Sequence, residues 1–190
     1  GTTVDENIEI GQAVTFKADT DALTFVGAKL DLANGANLTI NTNIGNPGST
    51  NGGDITIAGA IAGTSDEDVT LTTGTVGTTS GTVSVHNIGA GNEISTITIR
   101  GNKKIQLDGS LTTSEAAGDS TVAPAVALTG PVELVSNITI DTEHASGTGT
   151  DGDVTYTEIP EWDGSTIPGW TTNQSGTGAT FTIQRVGTAY

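Results

Sequence analysis

Short runs of alternating apolar and polar residues recur along almost the whole chain. This alternation is typical of β-strands that bury one side. No stretch of ten or more residues has the apolar spacing of an amphipathic helix, so we expect an all-β protein with very little helix. The apolar positions of the runs are Ile8/Ile10, Val14/Phe16, Val26/Ala28/Leu30/Leu32, Leu38/Ile40, Ile55/Ile57, Val69/Leu71, Val83/Val85, Ile97/Ile99, Ile105/Leu107, Ile138/Ile140, Val154/Tyr156 and Phe181/Ile183.

Four of these runs begin 14 residues apart, which is the sharpest regularity in the sequence. They are Ile55-Thr56-Ile57, Val69-Thr70-Leu71, Val83-Ser84-Val85 and Ile97-Thr98-Ile99. Repetition at a fixed period is typical of repeat proteins, and each unit is then half a coil, or one small coil, of a β-solenoid. We expect the apolar residues to stack inside and the central Thr and Ser residues to form an outward ladder.

We therefore predict a parallel β-helix or β-solenoid, with an antiparallel β-sandwich or jelly roll as the alternative, because evenly spaced hairpins give a similar pattern. The chain is expected to be one elongated domain, 1–190. Residues 1–45 supply N-terminal strands or a cap, 46–157 form the repeat core, and 158–190 form a C-terminal cap or joint. The last segment loses the strand alternation and contains both tryptophans, Trp162 and Trp170.

The amino-acid composition excludes several classes of function. Thr and Gly supply 63 of the 190 residues, aromatic residues are 4%, and the formal net charge is -16. That charge repels nucleic-acid phosphates and anionic lipid surfaces, so neither is an expected partner. No apolar run is long enough for a membrane span. Without Cys there are no disulfides, no thiol nucleophile and no thiolate metal site.

The units GDITIAGAIAGT, TVSVHNIGAG, KKIQLDGSLTTS and VELVSNITIDT lie between Gly52 and about Tyr156. They resemble repeat regions of large bacterial surface proteins of the filamentous haemagglutinin type. The resemblance covers roughly half of the chain. It implies a right-handed parallel β-helix that is exported to the cell surface, serves in adhesion or as a stalk, and has no enzymatic activity.

Residues that could carry chemistry are few, and we expect no enzyme. The two histidines, His86 and His144, have no metal-binding spacing, and no Gly-x-Ser-x-Gly elbow presents a nucleophile. No cofactor is certain. Calcium is the most plausible ion because carboxylates flank several turns. Its candidate ligands are Asp19, Asp21, Asp66, Asp68, Asp151 and Asp153.

The leading functional hypothesis is a secreted structural or adhesive protein at the cell surface, a subunit or segment of a filament or stalk. It would associate with copies of itself through its terminal strands, since exposed strands pair with other strands. The candidate joining residues are Ile8, Ile10, Val14, Phe16, Phe181, Ile183 and Val186.

Two alternatives stay open. A carbohydrate-binding or carbohydrate-cleaving β-helix would stack surface glycans on Trp162 and Trp170 and use the basic cluster Arg100, Lys103 and Lys104 near acidic residues. An ice-binding solenoid would use the Thr ladder. The charged and bulky neighbours of that ladder, such as Asp68 and Arg100, place this alternative third.

Overall fold

The computed structural model describes residues 7–27, 29–44, 52–64, 66–74, 80–89, 93–113, 125–142 and 152–157, and the backbone of 180–183. Every regular element in these ranges is a β-strand. The strands are β1 (Ile8–Ile10), β2 (Val14–Lys17), β3 (Leu23–Phe25), β4 (Leu30–Leu32), β5 (Leu38–Asn41), β6 (Ile55–Ile57), β7 (Ile61–Ala62), β8 (Asp68–Thr72), β9 (Thr82–Val85), β10 (Thr96–Arg100), β11 (Lys104–Leu107), β12 (Leu111–Thr112), β13 (Val126–Thr129), β14 (Val132–Leu134), β15 (Ile138–Asp141), β16 (Val154–Thr157) and β17 (Thr180–Ile183).

The chain winds around three faces and adds strands to them in turn. Face 1 contains β1, β4 and β7, then β12, β15 and β17, and its two parts are joined by bridges from Ile88 to Ile61 and to Leu111. Face 2 contains β2, β5, β8, β10, β13 and β16, and face 3 contains β3, β6, β9, β11 and β14. Neighbouring strands are parallel, except that β17 pairs antiparallel with β15.

This arrangement confirms the predicted parallel β-solenoid and excludes the antiparallel sandwich. The strands of segment 1–45 and those of segment 46–157 belong to the same sheets, because β5 pairs directly with β8 and β3 pairs directly with β6.

The 14-residue period corresponds to half a coil. Ile55 pairs with Val83 on face 3, and Val69 pairs with Ile97 on face 2, so paired positions are 28 residues apart. Successive 14-residue units therefore alternate between two faces. The third face is supplied within or between the units by short elements such as β7 and the bridge at Ile88.

The core is a continuous stack of aliphatic side chains between the three faces. Every inner coil contributes residues with no exposed surface, among them Leu30, Leu38, Ile55, Leu71 and Ile97. Residues that pack on this core while staying partly exposed lie mostly in the terminal strands. They are Val14, Phe16, Leu23, Phe25, Ala33, Val132, Leu134 and Tyr156.

The expected single outward ladder is wrong, because the four central residues lie on two faces. Thr70 pairs with Thr98 on face 2, whereas Thr56 pairs with Ser84 on face 3. The cause is the half-coil period, which places alternate units on different sheets. The complete central column of face 2 is Thr15, Thr39, Thr70, Thr98, Ala127 and Thr155.

Three buried threonines donate to glycine carbonyls that lie 8 to 11 residues farther along the chain. The Thr42 hydroxyl donates to the Gly53 carbonyl at 2.6 Å, and the Gly53 N–H donates to the Thr42 carbonyl at 3.3 Å. The Thr142 hydroxyl and the Gly152 N–H make the same two bonds, at 2.8 and 3.2 Å. These bonds give the buried hydroxyls and the glycine carbonyls the partners that buried polar groups need.

The third of these threonines, Thr73, supports a direct test. Its hydroxyl donates to the Gly81 carbonyl at 3.1 Å and accepts from the Asn102 N–H at 3.1 Å. Thr73→Val keeps the shape but leaves both backbone groups without this partner, which costs about 1–3 kcal/mol. We expect that loss in urea unfolding. Thr70→Val, on the outward face, should change stability little, and equal losses in the two variants would contradict this role.

Candidate functional site

The outward side of face 3 carries a groove of about 340 Å³. It runs across strands β6, β9 and β11 to the residue that follows β14. The side chains at its polar centre come from two neighbouring columns of the sheet, because residues two apart on a strand point to the same side. Its lining residues are Thr56, Ile57, Ala58, Ser84, Val85, His86, Gln106, Asp108 and Val135.

One column of this groove is locked by hydrogen bonds between coils. The Ser84 hydroxyl donates to Gln106 Oε1 at 2.8 Å, and Gln106 Nε2 donates to Glu133 Oε2 at 2.9 Å. Lys104 Nζ lies 2.6 Å from the same Glu133 oxygen. These contacts fix the side chains along the groove wall.

The other polar groups of the groove are not used by the fold. Within the described residues, the side chains of Thr56, His86 and Asp108 make no hydrogen bond or ion pair. His86 and Asp108 occupy the column next to the locked one, on adjacent coils, while their backbone N–H groups bond to Ile57 and Val85. The groove therefore offers a hydroxyl, an imidazole and a carboxylate to a ligand.

Ser84, His86 and Asp108 share the residue types of a nucleophilic triad, but the hydrogen bonding does not match one. A serine hydroxyl has a single proton to donate, and here it is donated to Gln106. His86 is therefore not placed to take that proton as a general base. The groove was not predictable from the spacing of His86 and Asp108 in the sequence, because these two residues lie on adjacent coils.

The basic cluster divides between two faces. Arg100 ends β10 on face 2, and its Nε donates to Asn102 Oδ1 at 2.8 Å. Lys104 begins β11 on face 3 and pairs with Glu133. Asp108 lies beyond the other end of β11, about 13 Å along the strand from Lys104 at 3.3 Å per residue. The cluster and Asp108 do not form one site.

The described carboxylates among the proposed calcium ligands do not converge on one metal site. The backbone of Asp19 forms an antiparallel β-bridge with Asn43, whereas the carboxylate of Asp66 accepts from Asn34 at 3.1 Å and that of Asp68 accepts from Asn37 and Thr96. Asp21 and Asp153 are exposed. Within the described ranges, no three His, Asp or Glu side chains come close enough to hold a metal ion. Asp151 lies outside those ranges, and calcium binding stays a prediction.

The candidate joining strands lie at the two ends of the stack. Ile8 and Ile10 are in β1, and Val14 and Phe16 are in β2, so both strands are at an edge of their sheets. At the other end, β17 contains positions 181 and 183 and pairs with β15. Val186, Trp162 and Trp170 lie outside the described residues.

No protein family, curated protein or solved structure matches the chain. The architecture agrees with the β-helix that the haemagglutinin-type resemblance implies, but no match supports that ancestry. None of the described residues forms a helix that is long and apolar enough to span a lipid bilayer.

Proposed function

We propose that the chain is a structural module of an extracellular filament or stalk that joins copies of itself end to end. The observation that carries this proposal is the gradient of burial along the stack. Apolar residues of the inner coils are buried, whereas the apolar residues of β2, β3 and β14, and Tyr156 of β16, remain partly exposed. Another layer of strands at either end would bury them.

The N-terminal end has an apolar surface ready for such a layer. The rings of Phe16 and Phe25 meet edge to face, with their centroids 5.3 Å apart. Both are only half-buried, whereas Ile40 and Ile57, which pair with them in the next coil, have at most 2% of their surface exposed. Ile8, beside them on β1, is 40% exposed.

The strand edges at the two ends are matched in length and direction. At one end of faces 2 and 3 are β2, with four residues, and β3, with three. At the other end are β16, with four residues, and β14, with three. Because β16 lies one coil beyond β14, a head-to-tail contact that pairs β2 of one copy with β16 of the next would continue the parallel sheet of face 2. A heterologous contact of this kind produces an open filament rather than a closed dimer.

The extracellular setting rests on composition. A chain with a formal charge of -16 repels itself and its copies, and dissolved salt reduces that repulsion. The absence of Cys also makes the fold independent of the redox state of its surroundings.

Thr15→Pro tests the joint without removing a hydrogen bond of the folded chain. The N–H groups of Val14 and Ala18 bond to β5, so the alternating N–H groups of Thr15 and Lys17 point to the open edge. Proline at position 15 removes one of these edge donors and blocks strand addition. We expect the wild type to form linear assemblies at high protein concentration and T15P to remain monomeric, by sedimentation velocity and negative-stain microscopy.

Thr15→Val is the matched control, because it changes the same side chain and keeps the N–H. It should assemble like the wild type, and all three proteins should have the same far-ultraviolet circular dichroism. A wild type that stays monomeric at millimolar concentration, or a T15P variant that assembles equally well, would refute the end-to-end joint.

A further inference from the structure

We propose that the groove on face 3 binds a neutral oligosaccharide chain that lies along the solenoid axis. The proposal does not rest on the end-to-end joint, since the polar groups of the groove come from β6 and from the residues that follow β9 and β11, which are inner strands of face 3. It also differs from the glycan surface expected from the sequence, which relied on two tryptophans and a basic cluster.

The unused polar groups of the groove indicate a ligand rich in hydroxyl groups. Asp108 accepts hydrogen bonds, whereas Thr56 and His86 can each donate and accept. Sugar hydroxyls also donate and accept, so one ligand hydroxyl can bridge two of these groups. Because the fold satisfies none of the three side chains, binding costs no internal hydrogen bond of theirs.

Other ligand classes fit the groove less well. Asp108 and the net charge of -16 disfavour a sulfated or phosphorylated ligand. A peptide adding as a β-strand needs an open sheet edge, but β6, β9 and β11 are paired on both sides. A purely apolar ligand would cover the polar groups at the centre of the groove and leave them without hydrogen-bond partners.

The groove is long enough to hold several units of an extended oligosaccharide chain. Neighbouring strands are about 4.8 Å apart, so the groove extends about 14 Å from β6 to the end of β14. The exposed side chains of Ala58 and Val135 lie at its two ends, where they can contact the C–H faces of sugar rings. Between them, the hydrogen bonds that link Ser84 to Gln106 and Gln106 to Glu133 hold the groove wall rigid, which lowers the entropy cost of binding.

The test is a nuclear magnetic resonance titration of the full chain with cellohexaose, xylohexaose, mannohexaose and, for comparison, a heparin-derived hexasaccharide. We expect at least one neutral probe to shift the amide signals of residues 56–58, 84–86 and 106–108. His86→Ala with Asp108→Ala should weaken that binding at least tenfold. Thr56→Val should weaken it by a smaller factor while preserving side-chain shape.

Thr98→Ala on face 2 is the control, because Thr98 is also an outward residue at the centre of a strand. It should bind like the wild type. Circular dichroism and thermal unfolding of each variant separate lost binding from lost structure. The proposal is overturned if no neutral probe shifts the groove signals at millimolar concentration, if the double variant binds unchanged, or if the heparin fragment alone binds there.

Discussion

A chain that lacks residues 69–82 is expected to lose cooperative folding, whereas a chain that lacks residues 69–96 should form a shorter, folded solenoid. The shorter deletion removes one 14-residue unit and the longer one removes two. In the longer deletion Ile97 follows Asp68 and takes the place of Val69, with which it already pairs. Its strand then pairs with β5, and every later strand stays on its own face.

The shorter deletion shifts strands between faces. Val83 would follow Asp68 and enter face 2, although its side chain and its corner belong to face 3. The next strand with a strong apolar pattern, β10, is also a face 2 strand, so the coil lacks a complete third face. In a solenoid each coil is stabilised mainly by its neighbours, and an incomplete coil interrupts the stack.

Circular dichroism and guanidinium unfolding distinguish these outcomes. The 69–96 deletion should unfold in one transition, with a denaturant slope about a seventh smaller because less surface becomes exposed. The 69–82 deletion should show no such transition. If both deletions fold alike, a 14-residue unit is a complete structural repeat, and the assignment of half a coil is wrong.

The positions of most strands could be predicted from alternation alone, because one side of each strand faces a continuous core. Alternation predicted the wrong strand boundaries where the chain turns a corner next to a strand. The run Val26/Ala28/Leu30/Leu32 reads as one strand, but among its described residues only Leu30–Leu32 form a strand, and Val26 is 62% exposed. Strand β13 was missed because the alanines beside Val126 and Leu128 weaken its pattern.

The face to which a strand belongs was not predictable from the period. A 14-residue spacing is compatible with one small coil or with half a large one, and the corners decide between them. The groove has the same origin. His86 and Asp108 stand 22 residues apart, a spacing that corresponds to no multiple of 14, because the chain turns tightly between β10 and β11. Only the three-dimensional register brings them together.

Replacing Glu67 is expected to destabilise the fold more than replacing Thr73. Its side chain is fully buried at a corner and accepts hydrogen bonds from the Thr64 hydroxyl at 2.6 Å, the Thr64 N–H at 2.5 Å and the Gly35 N–H at 3.0 Å. Gly35 belongs to the preceding coil, so Glu67 connects two layers. Glu67→Ala leaves all three donors without this partner and should cost about 3 kcal/mol or more.

The same carboxylate should make stability depend on pH. Burial raises the pKa of Glu67, but the hydrogen bonds from Thr64 and Gly35 together lower it by more, so its pKa lies below that of an exposed glutamate. The ionised form therefore contributes its full stabilisation above the unfolded-state pKa. This contribution is lost as the pH falls through the lower folded-state pKa. Wild-type stability should accordingly decrease between about pH 5 and pH 3.

Glu67→Gln separates the charge from the shape of this side chain. Its amide NH₂ cannot accept a hydrogen bond, so one donor loses its partner at every pH, and the Glu67 contribution to acid sensitivity disappears. Asp66→Asn is the matched control, since Asp66 is the exposed neighbour and accepts a hydrogen bond from the Asn34 amide. In urea unfolding across this pH range, Glu67→Gln should flatten the pH dependence while Asp66→Asn follows the wild type. Parallel profiles for the wild type and Glu67→Gln would show that the layers are connected without this carboxylate's charge.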